Sequence, residues 1–435
     1  MRCCSIIHDL ITGIIPTSDP DPPEPQPLQL VWDDIANVPV ADPTSPADWY
    51  AIGMTGITFT SITVDGNTVN FYADAPGSLN TTAFKLNENL YEIIDLGELV
   101  ESVVATDIDT NMGQLTNVSL PVCTEVGLGA FAGSGNLASF TAPLLETVGN
   151  YSFNNVGAIS GTFLNVTSVG DSGFFGAQIT SANFPVCTTV GSSAFSNTQI
   201  VSANFPLCTT FTGIENFSAN PLLETANFPS LIEATNSCFG GSGPIGVYNF
   251  DSLETIGVSS FESTTFTVPV IFPAALTAGL AAFKFCDAPS ISMPVLTTAG
   301  VEAFSGTTCT TMTFASLTSA GDSCFGDCDS LISITIGGAC TLGIETCQGN
   351  AVQTTFIAPL ITDLPLHTFR LNPEMTTVNT PDLLTCDSNA MPAYGGMTIV
   401  WNVNVFMETS DGGNPDPAIV AFLGANPAST VIYNP

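Results

Sequence analysis

Basic residues are almost missing from this chain. Arg2, Lys85, Lys284 and Arg370 are all it has against 39 acidic side chains, a formal net charge of −35 over 435 residues. Neutralising phosphates takes clustered lysines and arginines, so nucleic acid is excluded as a partner. Anionic membrane surfaces are disfavoured for the same reason. Long apolar runs are missing too: no stretch reaches the roughly 18 uninterrupted apolar residues of a spanning helix, so no membrane insertion is expected. The N-terminal MRCCSIIHDLITGII is broken by His8 and Asp9 and no small-residue cleavage site follows, which makes it a poor signal peptide. Charged residues are only 10% of the chain and apolar ones 45%. That composition builds a large core under a surface of Thr, Ser, Asn and Gly, unlike a disordered acidic tail.

What the chain has in abundance is repetition. TSANFPVCTTV and VSANFPLCTTF stand 21 residues apart around Ala182 and Ala203. Taking the Phe of VGSSAF as an anchor, a regular row runs Phe131, Phe153, Phe174, Phe195, Phe217, Phe239, Phe261, Phe283, Phe304, Phe325, Cys347, Phe369 and Met391, every step 21 or 22 residues. Each unit is therefore one coil of a solenoid. Upstream of each anchor, apolar residues recur at relative positions one, four and six, as in Ile179, Ala182 and Phe184. A Pro often follows (Pro185, Pro206, Pro229, Pro294), where a missing N–H is tolerated, and then a Gly permits the turn.

The consensus xLxxANFPxCTTVGxxAFxx resembles the BspA-like leucine-rich repeats from about Leu115 to Met391, with degenerate coils reaching back to about Phe84. The resemblance implies a mainly β, right-handed leucine-rich-repeat solenoid of about 13–15 coils, with a small β N-terminal cap and an α/β C-terminal cap. The expected organisation is a docking peptide at 1–15, a Pro/Asp-rich linker at 16–27, a β-rich cap at 28–83, the solenoid at 84–394 and a C-terminal cap at 395–435. Within the first cap, Val64 to Val69 reads as a tight hairpin and VWDDIANVPVADPTSPADWY as a loop-rich lead-in. Within the second, MTIVWNVNVF and TVIY read as strands around a short helix opened by Asp416-Pro417 and stopped by Gly424. The ladder strands are expected to form one parallel sheet, and the anchor row to be buried.

The motifs that could carry chemistry are explained by the repeat. Cys123, Cys187, Cys208 and Cys340 share one slot before the turn, and Cys238 and Cys324 each precede an anchor, so they read as stacked buried hydrophobes among 13 cysteines. Cys324 and Cys328 lack a second pair or a nearby His for zinc. Cys3 and Cys4 lie outside the repeats and have no assigned role. Gly170-Asp171-Ser172-Gly173 has the form of a chymotrypsin-type nucleophile surround, but it occupies an ordinary repeat slot, with His8 and His367 both far away. Asp107 to Asn111 offers alternating oxygen ligands without a closing Glu, and Asp411 to Asp416 is a weaker version. No cofactor, metal site or enzymatic activity is expected.

The surface remains. Side chains alternate along a strand, so the residues flanking position four should point outward: Ser139/Thr141, Gly161/Phe163, Ser181/Asn183, Ser202/Asn204, Thr225/Asn227, Val247/Asn249, Pro269/Ile271, and onward through Ser290/Ser292 to Thr377/Asn379. This is a ladder of uncharged hydrogen-bonding groups, and its apolar members Phe163, Val247, Pro269 and Ile271 are the candidate contact patch. The alternative is that Thr and Asn simply suit a parallel stack. Two functions from different settings are expected. One is a virion-associated phage fibre or decoration protein docked to capsid or tail proteins by residues 1–15, with a host-surface glycan or protein as its target and a homotrimer as one expected assembly. The other is a bacterial cell-surface or secreted adhesin, which must be exported. The poor leader favours the phage setting.

Overall fold

Two residues of strand, a turn and three more residues of strand suffice to build one coil, because every coil borrows its hydrogen bonds from the next. The structure is a computed structural model and describes residues 26–32, 35, 38, 40, 42–51, 57–80, 90–96, 98–105, 112–159, 163–387, 389–391, 400–404, 417–425 and 429–434. Residues 1–25, Gly161, Asp107 to Asn111 and Asp411 to Asp416, with the docking peptide and calcium motifs placed there, lie outside the described residues.

In each coil the first strand carries the outward ladder, as in Ser181–Asn183 paired in parallel with Ser202–Asn204, Ala182 opposite Ala203. A second, two-residue strand follows, as in Thr189–Val190 paired with Thr210–Phe211. These second strands join into one 13-stranded sheet running from Gly77–Asn80 to Thr341–Leu342. The turn then closes the coil. The anchor Phe195, the residue two before it (Ser193, φ 52°) and the residue two after it (Asn197, φ 57°) each donate an N–H to the following coil, to Asn216, Ile214 and Ser218 carbonyls. The two left-handed residues recur on either side of the anchors; Gly176, Gly241, Gly306 and Gly349 fill the second of these slots without steric cost.

The core is filled by two rows of rings. The anchor row is buried throughout, from Phe131 to Met391. Phe195 lies 5.0 Å from Phe217 and 5.2 Å from Phe174 in offset stacks with interplanar angles of 10° and 11°. The second row is position six, Phe184, Phe205, Phe228 and Phe250, stacked on itself and meeting the anchors edge-on, as in Phe195 against Phe205 at 69°. Each such pair adds about 0.5–1.5 kcal/mol beyond burial.

Several expectations change. The ladder is not one sheet: it divides among a six-stranded, a four-stranded and an eight-stranded sheet, while the continuous sheet is the one made by the second strands. Phe163 is not outward. It is 5% exposed and stacks on Phe184 at 5.2 Å, so it belongs to the buried position-six row. The Thr147–Ser168 pairing sets the step into this coil at 21 residues, one fewer than the 22 that the expected ladder spans from Ser139 to Gly161, and a one-residue slip exchanges the faces. The lead-in is also more ordered than expected. It contributes Val31 and Trp32 to the strand Leu28–Trp32 and forms the helix Pro46–Ala51, whose Trp49 packs edge-on against Phe71 at 5.0 Å. The expected hairpin is present, Phe59–Asp65 paired with Thr68–Ala73 across Gly66 at φ 57°. At the far end Val400–Asn404 and Thr430–Asn434 extend the ladder in parallel, and the helix Pro417–Ala425 continues one residue past Gly424.

Candidate functional site

The outward ladder carries most of the residues singled out in the sequence, and its hydrogen bonds decide what it can offer. Asn204 Nδ2 donates to Asn183 Oδ1 at 2.7 Å, and Asn227 Nδ2 donates to Asn204 Oδ1 at 2.6 Å. The three asparagines thus satisfy one another coil to coil. Ser181, Ser202 and Thr225 stand beside them, partly or fully exposed. The run ends at Asn249, whose Oδ1 accepts the Asp251 N–H at 3.2 Å instead.

The ladder breaks immediately after this point, and Pro269 is the reason. In the preceding coils Thr225 N–H donates to Val201 O and Val247 N–H to Glu224 O. Pro269 occupies the equivalent slot and has no N–H to give. Tyr248 fills the gap: its hydroxyl donates to Pro269 O at 2.7 Å and accepts the Ile271 N–H at 2.8 Å. Its ring is packed edge-on against Phe266 and Phe272. Burial pushes the Tyr248 phenol above its ordinary pKa, so the hydroxyl keeps its proton and its donor role. Sequence inspection missed this plug, although a Pro in the ladder slot was the available signal.

Around the break lie Val247 at 63% exposure and Ile271 at 53%, with Pro269 also exposed. Pro269 and Ile271 hold the repeat positions of Val247 and Asn249 one coil on, so the outward side of the break is apolar at Val247, Pro269 and Ile271 and carries one amide at Asn249. Of the residues singled out in the sequence, Ser181, Asn183, Ser202, Asn204, Thr225, Asn227, Val247, Asn249 and Ile271 share this outward face, and Phe163 does not.

Behind the turn runs a polar ladder that the sequence did not disclose. Asn220 is fully buried; its Nδ2 donates to Phe195 O and Phe217 O at 2.9 and 2.8 Å, and its Oδ1 accepts from Thr198 N and Oγ1. Asn350 and Asn372 repeat the arrangement on Phe325 O and Cys347 O. These amides close the carbonyls left open by the turns and offer nothing to a ligand. Among the described residues no group of three metal-ligating side chains converges. The described cysteines hold free thiols, all buried except the half-buried Cys386; burial holds Cys187 up at about 11 and Cys123 and Cys208 up at about 12. Ser172, the serine of the protease-like stretch, sits in the left-handed turn slot at φ 52°, and the neighbouring Asp171 Oδ1 accepts the Ser192 N–H at 2.8 Å.

The model of the BspA type leucine rich repeat region matches the chain in six copies over residues 110–216, 146–267 and 254–376, more than half of its length. The chain belongs to this family. A solved leucine-rich repeat protein from Bacteroides ovatus is similar, with a TM-score of 0.56 at 15% identity over 86% of this chain and 90% of that one, which shows a shared fold. A leucine-rich repeat protein from Eubacterium ventriosum matches with a TM-score of 0.34 at 12% identity, covering 67% and 82% of the two chains. A leucine rich cell surface protein from Faecalibacterium prausnitzii matches with a TM-score of 0.28 at 12% identity, covering 87% and 94%. No curated protein matches the chain.

Proposed function

We propose that this BspA-type protein is a non-catalytic recognition scaffold, and that its contact surface is the ladder face centred on the break at Tyr248. The observation that carries the reading is the exposure of Val247 and Ile271 beside the uncharged asparagine run, at the break between the four-stranded and eight-stranded ladder sheets. Neutral amides and hydroxyls beside a small apolar patch suit a neutral, hydroxyl-rich ligand such as a surface glycan, which a chain of net charge −35 does not repel. A typical hydrogen bond contributes about 0.5–1.5 kcal/mol net, so useful binding calls for several copies displayed together. A bacteriophage particle and a bacterial surface both provide such display, and both settings belong to the proposal.

Val247→Ser with Ile271→Ser tests the site. Applied to an array of neutral glycans as a multivalent display, the wild-type protein is expected to retain defined spots and the double variant to lose at least tenfold in signal, with an unchanged melting temperature. Equal retention by both, or none by the wild type, sinks the proposal. Immunogold labelling of particles and of cells from the source culture separates the two settings.

A further inference from the structure

The turn edge carries a second surface that the ladder proposal does not use. In the slot three residues before the anchor, Ile214, Val258, Leu280, Val301, Ile344 and Leu366 are all more than a third exposed. They recur in six of eight successive coils, with Asn236 and Asp322 in the other two. The same edge bears Phe285 at 54% exposure and φ 57°, and Leu371, also exposed, at φ 64°. A left-handed backbone under a bulky side chain costs about 1–2 kcal/mol, and the neighbouring coils avoid it with Gly306 and Gly349. The left-handed slot belongs to the turn, but the half-exposed side chains of Phe285 and Leu371 return little of its cost by burial, so the choice of these two residues there points to use.

Carboxylates border the apolar line: Glu262, Glu302, Asp322, Asp327 and Glu345 stand on the same turns. One cation already shows how the edge receives a positive charge. Lys284 Nζ sits 2.5 Å from Glu302 Oε2 and 5.3 Å from the centre of the Phe285 ring, held by a carboxylate and an aromatic face together. We infer that this edge docks a cationic amphipathic helix of a partner protein, its apolar stripe laid along Val258 to Leu366 and its lysines or arginines on the bordering carboxylates. Charge selects this occupant. A second copy brings another −35 and is repelled, whereas a basic helix gains from the whole acidic field. Length fits as well: five coil steps of about 4.8 Å make roughly 24 Å, the span of a helix of about 16 residues.

The test uses the full chain and a fluorescent 16-residue peptide of Leu and Lys with leucines at helical spacing, against a peptide of the same composition in scrambled order. The patterned peptide is expected to bind at least tenfold more tightly than the scrambled one. Binding should weaken, without vanishing, between low and high salt. Leu280→Ser should reduce it at least fivefold. Phe285→Asn should do the same while folding at least as well as wild type, since Asn accepts the left-handed conformation. Equal binding of the two peptides would reduce the edge to a diffuse negative charge and overturn the inference. So would unchanged affinity in Phe285→Asn, or loss of peptide binding in the ladder-face variant Val247→Ser with Ile271→Ser.

Discussion

The hydroxyl of Tyr248 donates to the carbonyl of Pro269 at 2.7 Å and so replaces, with one side chain, the backbone pairing that a proline in the ladder slot denies. Two parallel sheets are thereby held edge to edge across a break in the stack. Tyr248→Phe should remove both bonds of the hydroxyl and lower stability by about 1–3 kcal/mol, since Pro269 O and Ile271 N–H lose their partner. Pro269→Ser in the same background should recover part of the loss by restoring an N–H. Urea melts of the two variants check the order.

Asn204 and Asn220 look alike in sequence and should behave differently. Asn220→Ala strips partners from two buried carbonyls and from Thr198, so a loss of about 3 kcal/mol or more is expected. Asn204→Ala interrupts a partly exposed run whose neighbours can turn to water, and should cost about 1 kcal/mol or less. Thermal unfolding followed by circular dichroism distinguishes them.

The cysteines make the fold alkali-sensitive. Burial holds Cys123 and Cys208 at about 12 and Cys187 at about 11, against roughly 8.5 in an unfolded chain. Between those values the unfolded state binds fewer protons than the native one, so stability is complete below about pH 8.5 and falls as pH rises toward 11–12. Denaturant midpoints should drop steadily from pH 8 to pH 10.5, and Cys187→Ala with Cys208→Ala should flatten the slope. At pH 8 a thiol reagent should leave Cys187 and Cys208 unmodified until the chain is unfolded.

Leu371 holds a left-handed conformation at φ 64° with its side chain largely in solvent. Leu371→Asn should therefore raise stability by about 0.5–1 kcal/mol, read as a higher melting temperature. A decrease would show that the leucine packs against something this fold requires.

The sequence by itself determined the period, the anchor row from Phe131 to Met391, the stacked cysteine slots and the terminal elements. Each of these follows from residue type repeated at a fixed interval, and one coil can bury its apolar residues only against the next. It also placed Ser181, Asn183, Ser202, Asn204, Thr225, Asn227, Val247, Asn249 and Ile271 on one outward face, because side-chain alternation is local. Tertiary structure decided the rest. Phe163 joined the core because the pairing of Thr147 with Ser168, and not the nearest motif, sets that coil's register. The continuous sheet arose from strands such as Thr189–Val190, too short to show any periodicity and stable only through their neighbours. Asn220 went inside and Asn204 outside because the turn leaves buried carbonyls that need a donor. The break at Tyr248 appeared because the partners of a backbone N–H in a solenoid lie a whole coil away, where linear sequence order says nothing about contact.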